Sequence, residues 1–359
     1  MANMNIRTPR FYCDRVNYLL NRGIGSSHFR IESTDAGNNT VGMNSGFNSL
    51  ELFDMKPLNQ VTFNTNANRQ DHVIVSIDHR FGGYKTNFIA ILNHNMHTAN
   101  AKVRVSFDTT DEGHVQAEDF TDAVAVSNVT QVLNADGISS NIVTPDSDGH
   151  TIFTFNDGSN DDVTSRFLGI QFEGSRNSGD TGAGNYFDGT DDLAIGCILV
   201  GEFYDMPNAP DLNVRRSIQY NHTQMKESVG GQRYSNMSSF GRTLESTGSR
   251  SPFHTYDDGS GGNPEVYGGR ITYNMKFSYL SSSNIMPSTY NVASQGDDTV
   301  VTDVWNITHG SHTPFIFTQD GTSVSESDYL FARFAQNSLD MNQVAPDVFD
   351  VSMKIEEEF

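Results

Sequence analysis

From Phe349 to Ile355 apolar and polar side chains alternate without a break, with Phe349, Val351, Met353 and Ile355 set against Asp350, Ser352 and Lys354. A period of two is the mark of a β-strand with one buried face. This pattern runs almost to Phe359, and chain ends fray unless something packs on them. The spacing therefore predicts a docked strand. A second stretch is as regular: Ile271, Tyr273, Met275, Phe277 and Tyr279 alternate with Thr272, Asn274, Lys276 and Ser278. A chain with such segments must build sheets and find partners for their apolar faces.

More strands are predicted along the chain. Val73, Val75 and Ile77 alternate, as do Val103, Val105 and Phe107, whereas Phe88–Leu92 is a continuous apolar run of buried-strand length. Strands are expected at Thr151–Phe155, Leu168–Phe172, Ala194–Phe203, Val300–Ile307, Pro314–Phe317 and Tyr329–Phe334 as well. Turn clusters separate them, among them Asn134-Ala135-Asp136-Gly137, Asp146-Ser147-Asp148-Gly149 and Asn156-Asp157-Gly158. Many short strands with Gly/Asp turns give an all-β expectation: two β-sandwich or jelly-roll domains with long polar loops.

The length of 359 residues agrees with about two domains. Residues 1–60 read as an N-terminal arm, or a short helix plus loop: Thr8-Pro9 suits a helix start and Gly23 a stop, while Phe11, Tyr12, Val16 and Tyr18 suit a strand equally. Residues 61–205 form the first β-domain. The prolines of Met206–Asp211 break it from a second, residues 206–359. Within the second, Asn213–Arg242 and His254–Gly269 are polar tracts expected to order on assembly.

The net charge of -21 argues against nucleic acid as a partner, because phosphates would be repelled. It suits solubility in a salty medium or a crowded assembly. Cys13 and Cys197 are the two cysteines. Cys197 lies in the apolar run Ala194–Val200 and reads as a small buried hydrophobe; a disulfide between the two stays open. No secretory h-region and no stretch of about 18 apolar residues occurs, so no signal peptide and no membrane span are expected. The product is expected to be made in a cytoplasm.

The segments "HVIVSIDHRF", "TNFIAILNHN", "AKVRVSFDTTDEG", "RFLGIQFEG" and "DLAIGCILVGEFY" resemble the strand series of discoidin-like jelly rolls. That resemblance implies a binding or packing module, often directed at carbohydrate, without catalytic residues. The segments "YDMPNAPDLNVRRSIQYNHTQMKESVGGQRYSNMSSFGR", "HTPFIFTQDG" and "NQVAPDVFDVSMKIEEEF" resemble structural proteins of tailed bacteriophages, marine ones especially. This implies a virion component of the tail, baseplate or fibre attachment. Its partners would be other virion proteins and further copies of itself in a homo-oligomer, with a host surface glycan as an additional ligand. A carbohydrate-binding adhesin is the alternative. A surface-polysaccharide hydrolase and a capsid-decorating protein rank below it.

No catalytic signature stands out. Gly-x-Ser-x-Gly and Gly-Lys-Ser/Thr are absent, so the expectation is a non-enzyme. Loop aromatics can stack on the apolar face of a sugar, and Tyr84 and Tyr186-Phe187 are placed for this, or for covering the ends of a sandwich. His94, Asn95 and His97 follow the apolar run Phe88–Leu92 at a loop. With Tyr84 they are the glycan-binding candidates. His94 and His97, like His309 and His312, have the spacing of a metal pair but lack a third ligand nearby. No metal or cofactor is assigned. Asp146, Asp148, Asn156, Asp157, Asp161 and Asp162 could supply oxygens to a structural Ca²⁺, though no calcium-loop spacing is met and plain turns explain them too.

Overall fold

The computed structural model describes residues 7–23, 29–32, 42–67, 72–79, 84–108, 124–135, 137–174, 176–178, 182–219, 224–236, 270–288 and 298–358. The chain is all-β, built on large antiparallel sheets. Among the described residues the main sheet has 12 strands. Its path runs Arg215–Gln219, Arg270–Leu280, Val348–Glu357, Tyr329–Phe334, Phe315–Thr318, Arg10–Asp14, Leu193–Asp205, Phe88–His94, Gly149–Asn156 and Ser127–Leu133. Val61–Phe63 and Met341–Ala345 join it beside Leu193–Asp205 and Val348–Glu357. A second sheet, of six strands among the described residues, centres on Ala101–Asp108, Phe167–Gly174 and Val73–Asp78.

These sheets pack face to face. Ile89, Ile91, Phe153, Ile198 and Val200 from the main sheet share one core with Val75, Val105, Ile170 and Phe172 from the smaller. The opposite face of the main sheet is also covered. Phe88, Ala90, Leu92, Ile152, Cys197 and Leu199 form a second cluster with Tyr12, Met55 and Phe331. That double burial explains why Phe88–Leu92 is apolar without alternation. At the other end of the sheet one face suffices, and Val351, Met353 and Ile355 are buried while Ser352 is exposed.

The first described segment is a strand followed at once by a helix. Arg10–Asp14 pairs with Leu193–Asp205 on one side and with Phe315–Thr318 on the other. Asp14 then caps the helix Arg15–Asn21, accepting from the Asn17 amide at 2.7 Å. The β-regions on either side of Met206–Asp211 therefore share one sheet, joined through Arg10–Asp14. Gly201 permits this junction. A Cβ there would lie 2.2 Å from the Cys13 carbonyl oxygen, so only glycine lets the two backbones meet.

One predicted strand is a helix. Residues Val300–Trp305 form a wide helical turn that continues as Asn306–Thr308. Thr299 caps it: its hydroxyl accepts from the Thr302 amide at 3.1 Å, and its own amide donates to Asp303 at 2.8 Å. Val300, Val301, Val304 and Ile307 are buried at helical rather than strand spacing. Trp305 packs on Phe334, ring centroids 4.9 Å apart. Both cysteines are free and buried, so no disulfide joins them. Among the described residues no helix is long and apolar enough to cross a membrane. The tract His254–Gly269 lies outside the described residues.

Candidate functional site

The strand Gly149–Asn156 ends in the turn that carries Asp157, Asp161 and Asp162. Beside it Ser127–Leu133 contributes Asn128 and Thr130, and Leu193–Asp205 contributes Glu202 and Phe203. Together they bound a cleft of about 810 Å³. Thr130 and Thr154 are direct cross-strand partners and both line it. Asn87, Asn128 and Asn156 add amides. The Asn128 amide donates to Asn156 Oδ1 at 3.0 Å, and the Gly158 amide donates to the same oxygen at 2.8 Å, so the turn is held by the residues that face the cleft. Asp157 holds the next turn, accepting from the Ser159 and Asn160 amides at 2.7 and 2.6 Å.

One wall is a ladder of alternating charge. Lys85 Nζ lies 3.4 Å from Asp298, 3.6 Å from Asp162 and 3.8 Å from Glu202. Arg15, buried, reaches Glu202 at 3.0 Å and Asp303 at 3.2 Å. Burial pushes the Glu202 carboxyl up to about 7, with the Asp303 charge adding and Arg15 opposing. Burial likewise raises Asp303 against the pull of Arg15. For Lys85, burial acts to lower the pKa, but Glu202, Asp298 and Asp162 outweigh it and hold the ammonium above its usual range.

A second cavity of about 690 Å³ lies between Asp54–Asn59 and His312–Pro314. Two of its polar side chains are already held. Asn17 donates to Asp14 and to the Phe53 carbonyl, and Arg333 is forked onto Glu358 and donates to the Ser311 carbonyl. The first cleft has the more polar lining of the two and is the better candidate for a polar ligand.

The glycan-binding candidates singled out from the sequence do not converge there. His94 is buried inside the sandwich. The Met96 amide donates to its Nδ1 at 3.2 Å, so the ring proton sits on Nε2 and meets Thr151 Oγ at 2.8 Å. Burial pushes the His94 pKa down to about 3, with His150 adding to the effect. A ring enclosed in this way cannot touch a surface glycan, which removes His94 from the candidate set. Asn95 is half-buried and ties down the start of a core strand: it accepts from the Ala194 amide at 2.7 Å and donates to the Asp192 carbonyl at 2.8 Å. His97 is exposed, its Nδ1 3.4 Å from the Pro145 carbonyl. Tyr84 lies on the short strand Tyr84–Thr86, directly before the cleft residue Lys85, and its backbone pairs with Ser165. Phe187 is buried, which makes it a core residue.

Of the calcium candidates, Asn156, Asp161 and Asp162 line the cleft, whereas Asp148 accepts from the Thr98 amide and hydroxyl, and Asp157 and Asn156 hold turns. Among the described residues no three His, Cys, Asp or Glu side chains are grouped to hold a metal ion.

His150, beside His94, gives a pH prediction. It is fully buried, neither ring nitrogen has a hydrogen-bond partner among the described residues, and burial pushes its pKa down to about 3. The folded value lies below the unfolded one of 6.5. Its contribution is therefore complete above about pH 6.5 and is lost as pH falls toward 3. Glu202 and Glu357, both pushed up to about 7, act in the opposite sense. A comparison with His150→Leu isolates the histidine. The variant should gain about 2 kcal/mol relative to wild type between neutral pH and about pH 5, read by urea denaturation. An unchanged difference between the two pH values would contradict this.

Nothing in the sequence pointed to Thr130 and Thr154. Glu202 could have been found as the lone carboxylate within the apolar run that ends at Tyr204. The cluster Asn156–Asp162 was legible, although as metal donors rather than as the rim of a cleft.

No family model matches the chain, and no curated protein matches it. Two solved structures are similar in part. One is a chitosan-binding module of a chitosanase/glucanase from Paenibacillus sp. IK-5, at 14% identity and a TM-score of 0.28, covering 46% of this chain and 96% of that one. The other is a carbohydrate-binding module, CBM32-3, of a family 31 glycoside hydrolase from Clostridium perfringens, at 12% identity and a TM-score of 0.27, covering 50% of this chain and 94% of that one.

Proposed function

We propose that this chain binds carbohydrate in the cleft between Thr130, Thr154 and the turn Asn156–Asp162. The observation that carries the reading is the lining itself. A sugar hydroxyl both donates and accepts, and Asn and Thr side chains do the same, so a rim of Asn87, Asn128, Thr130, Thr154 and Asn156 matches it. At about 810 Å³ the cleft is within the range of about 300–1,000 Å³ usual for small-ligand sites.

The role is binding rather than hydrolysis. A glycosidase needs one carboxyl free to give a proton and another free to attack or to activate water. Glu202 and Asp303, the most enclosed carboxylates of the cleft, are both engaged by Arg15. Full-length protein printed against immobilised polysaccharides should retain a subset of them, and no new reducing ends should appear on incubation. Turnover would replace this reading with a hydrolase, and failure to retain any glycan would refute it.

A second reading, an assembly protein of a tailed-phage virion, rests on the sequence resemblance of the C-terminal region. It is favoured by the hairpin Gln224–Asn236, which stands exposed with Met225, Val229 and Tyr234 in solvent. In that setting glycan binding would serve attachment to a host surface.

A further inference from the structure

Among the described residues Lys85 is the one lysine or arginine that lines the cleft, and it faces three carboxylates there. Each comes from a different part of the chain. Asp162 closes the rim turn, Glu202 stands on the strand Leu193–Asp205, and Asp298 precedes the capped helical turn Val300–Trp305. An ammonium has three N–H groups and no acceptor. With Asp298, Asp162 and Glu202 at 3.4, 3.6 and 3.8 Å, those donors are committed within the protein rather than to a sugar hydroxyl. The backbone of Lys85 acts on the same turn. Its strand Tyr84–Thr86 pairs with Val163–Ser165, and Lys85 lies opposite Thr164. The Thr86 hydroxyl donates to the Val163 carbonyl at 3.3 Å, and the Thr164 hydroxyl donates to Asp162 at 3.0 Å. The other end of the turn starts on Asn156, which pairs with Ser127 in the main sheet.

We infer that Lys85 is a positioning residue of the glycan cleft: its ammonium holds the rim turn Asn156–Asp162 against Glu202 and Asp298, and so sets the width at which a sugar is gripped. The inference rests on the carbohydrate reading of the cleft. Without the ammonium, Asp162, Glu202 and Asp298 repel one another, and the exposed rim is the part free to yield. Glu202 keeps Arg15 at 3.0 Å on its buried side, so the core below is still compensated. Asp298 lies beyond the prolines of Met206–Asp211, whereas Lys85, Asp162 and Glu202 lie before them. The latch therefore joins the two β-regions at the cleft, and residues 61–205 alone would lack one of its walls.

The test compares full-length wild type, Lys85→Ala and Asp162→Asn on immobilised cellulose, xylan, chitin and galactan, and by amide hydrogen exchange. Lys85→Ala should weaken retention of whichever polysaccharide the wild type holds at least about tenfold, the equivalent of about 1.4 kcal/mol. The amides of Val163–Ser165 should exchange faster while the core strands keep their protection. Asp162→Asn should act in the same direction with a smaller effect, since Lys85 then keeps Glu202 and Asp298. The deciding readout is chemical rescue. n-Propylammonium chloride supplies the three carbons and the ammonium that Lys85→Ala removes, and it should restore retention. 1-Propanol with sodium chloride at the same concentration should not. Wild-type retention by Lys85→Ala, or a rescue that does not distinguish the amine from the alcohol, would overturn the inference and leave the carbohydrate reading standing. Retention of none of the four by the wild type would count against the carbohydrate reading instead, and the exchange of Val163–Ser165 would then decide by itself whether Lys85 holds the turn.

Discussion

Arg15→Ala should destabilise the protein by about 3–5 kcal/mol, because it leaves Asp303 buried without its counter-charge and Glu202 with only Lys85, at 3.8 Å. The arginine is the largest fully buried side chain among the described residues and sits in the first turn of the helix Arg15–Asn21. It joins three parts of the chain that are far apart in sequence: the N-terminal helix, the strand Leu193–Asp205 and the helical turn Val300–Trp305. The loss is one of an uncompensated pair rather than of favourable charge as such. Arg15→Met combined with Glu202→Gln and Asp303→Asn should therefore recover much of the stability that Arg15→Ala removes. Urea denaturation of the two proteins reads both effects. A loss below about 1 kcal/mol for Arg15→Ala would place the ion network in solvent and contradict its burial.

Phe11→Ala should cost about 3–5 kcal/mol, the usual range for emptying a buried aromatic site. Its ring lies 5.3 Å from Phe317, 5.6 Å from Phe315 and 6.1 Å from Phe334. The backbone of the same residue pairs with Tyr204 and Phe317 on opposite sides. Because one strand serves both halves of the main sheet, the loss should appear across the whole chain as a single shifted transition. Two transitions, only one of them moved by Phe11→Ala, would contradict a sheet that is cooperative through Arg10–Asp14.

The β-scaffold was legible wherever a strand buries one face, since the alternation of Val351, Met353 and Ile355 states which side packs. It was also legible where a run such as Phe88–Leu92 buries both. Val300–Ile307 misled because valine-rich segments suit strands, and the cap that bends this one into a helix lies in Thr299 and Asp303. The role of Arg10–Asp14 was hidden for another reason. Five residues cannot declare that they will insert between strands some 190 and 300 positions away. The same limit applied to the site. His94 and Asn95 looked like loop side chains because they end an apolar strand, yet the sandwich closes over His94 and uses Asn95 to hold the next strand in place. Thr130 and Thr154 acquire meaning only when their strands pair.

The most direct test of the central claim is the affinity of the full-length chain for a retained polysaccharide fragment, compared with that of Thr154→Trp. Thr154 is half-buried at the cleft, beside Thr130, so an indole there fills the binding volume while the core below is left as it is. The account predicts saturable binding by the wild type and loss of at least about tenfold in the variant, equivalent to about 1.4 kcal/mol, at an unchanged melting temperature. Equal affinity in the two proteins would place carbohydrate elsewhere on the molecule and contradict the assignment of the cleft.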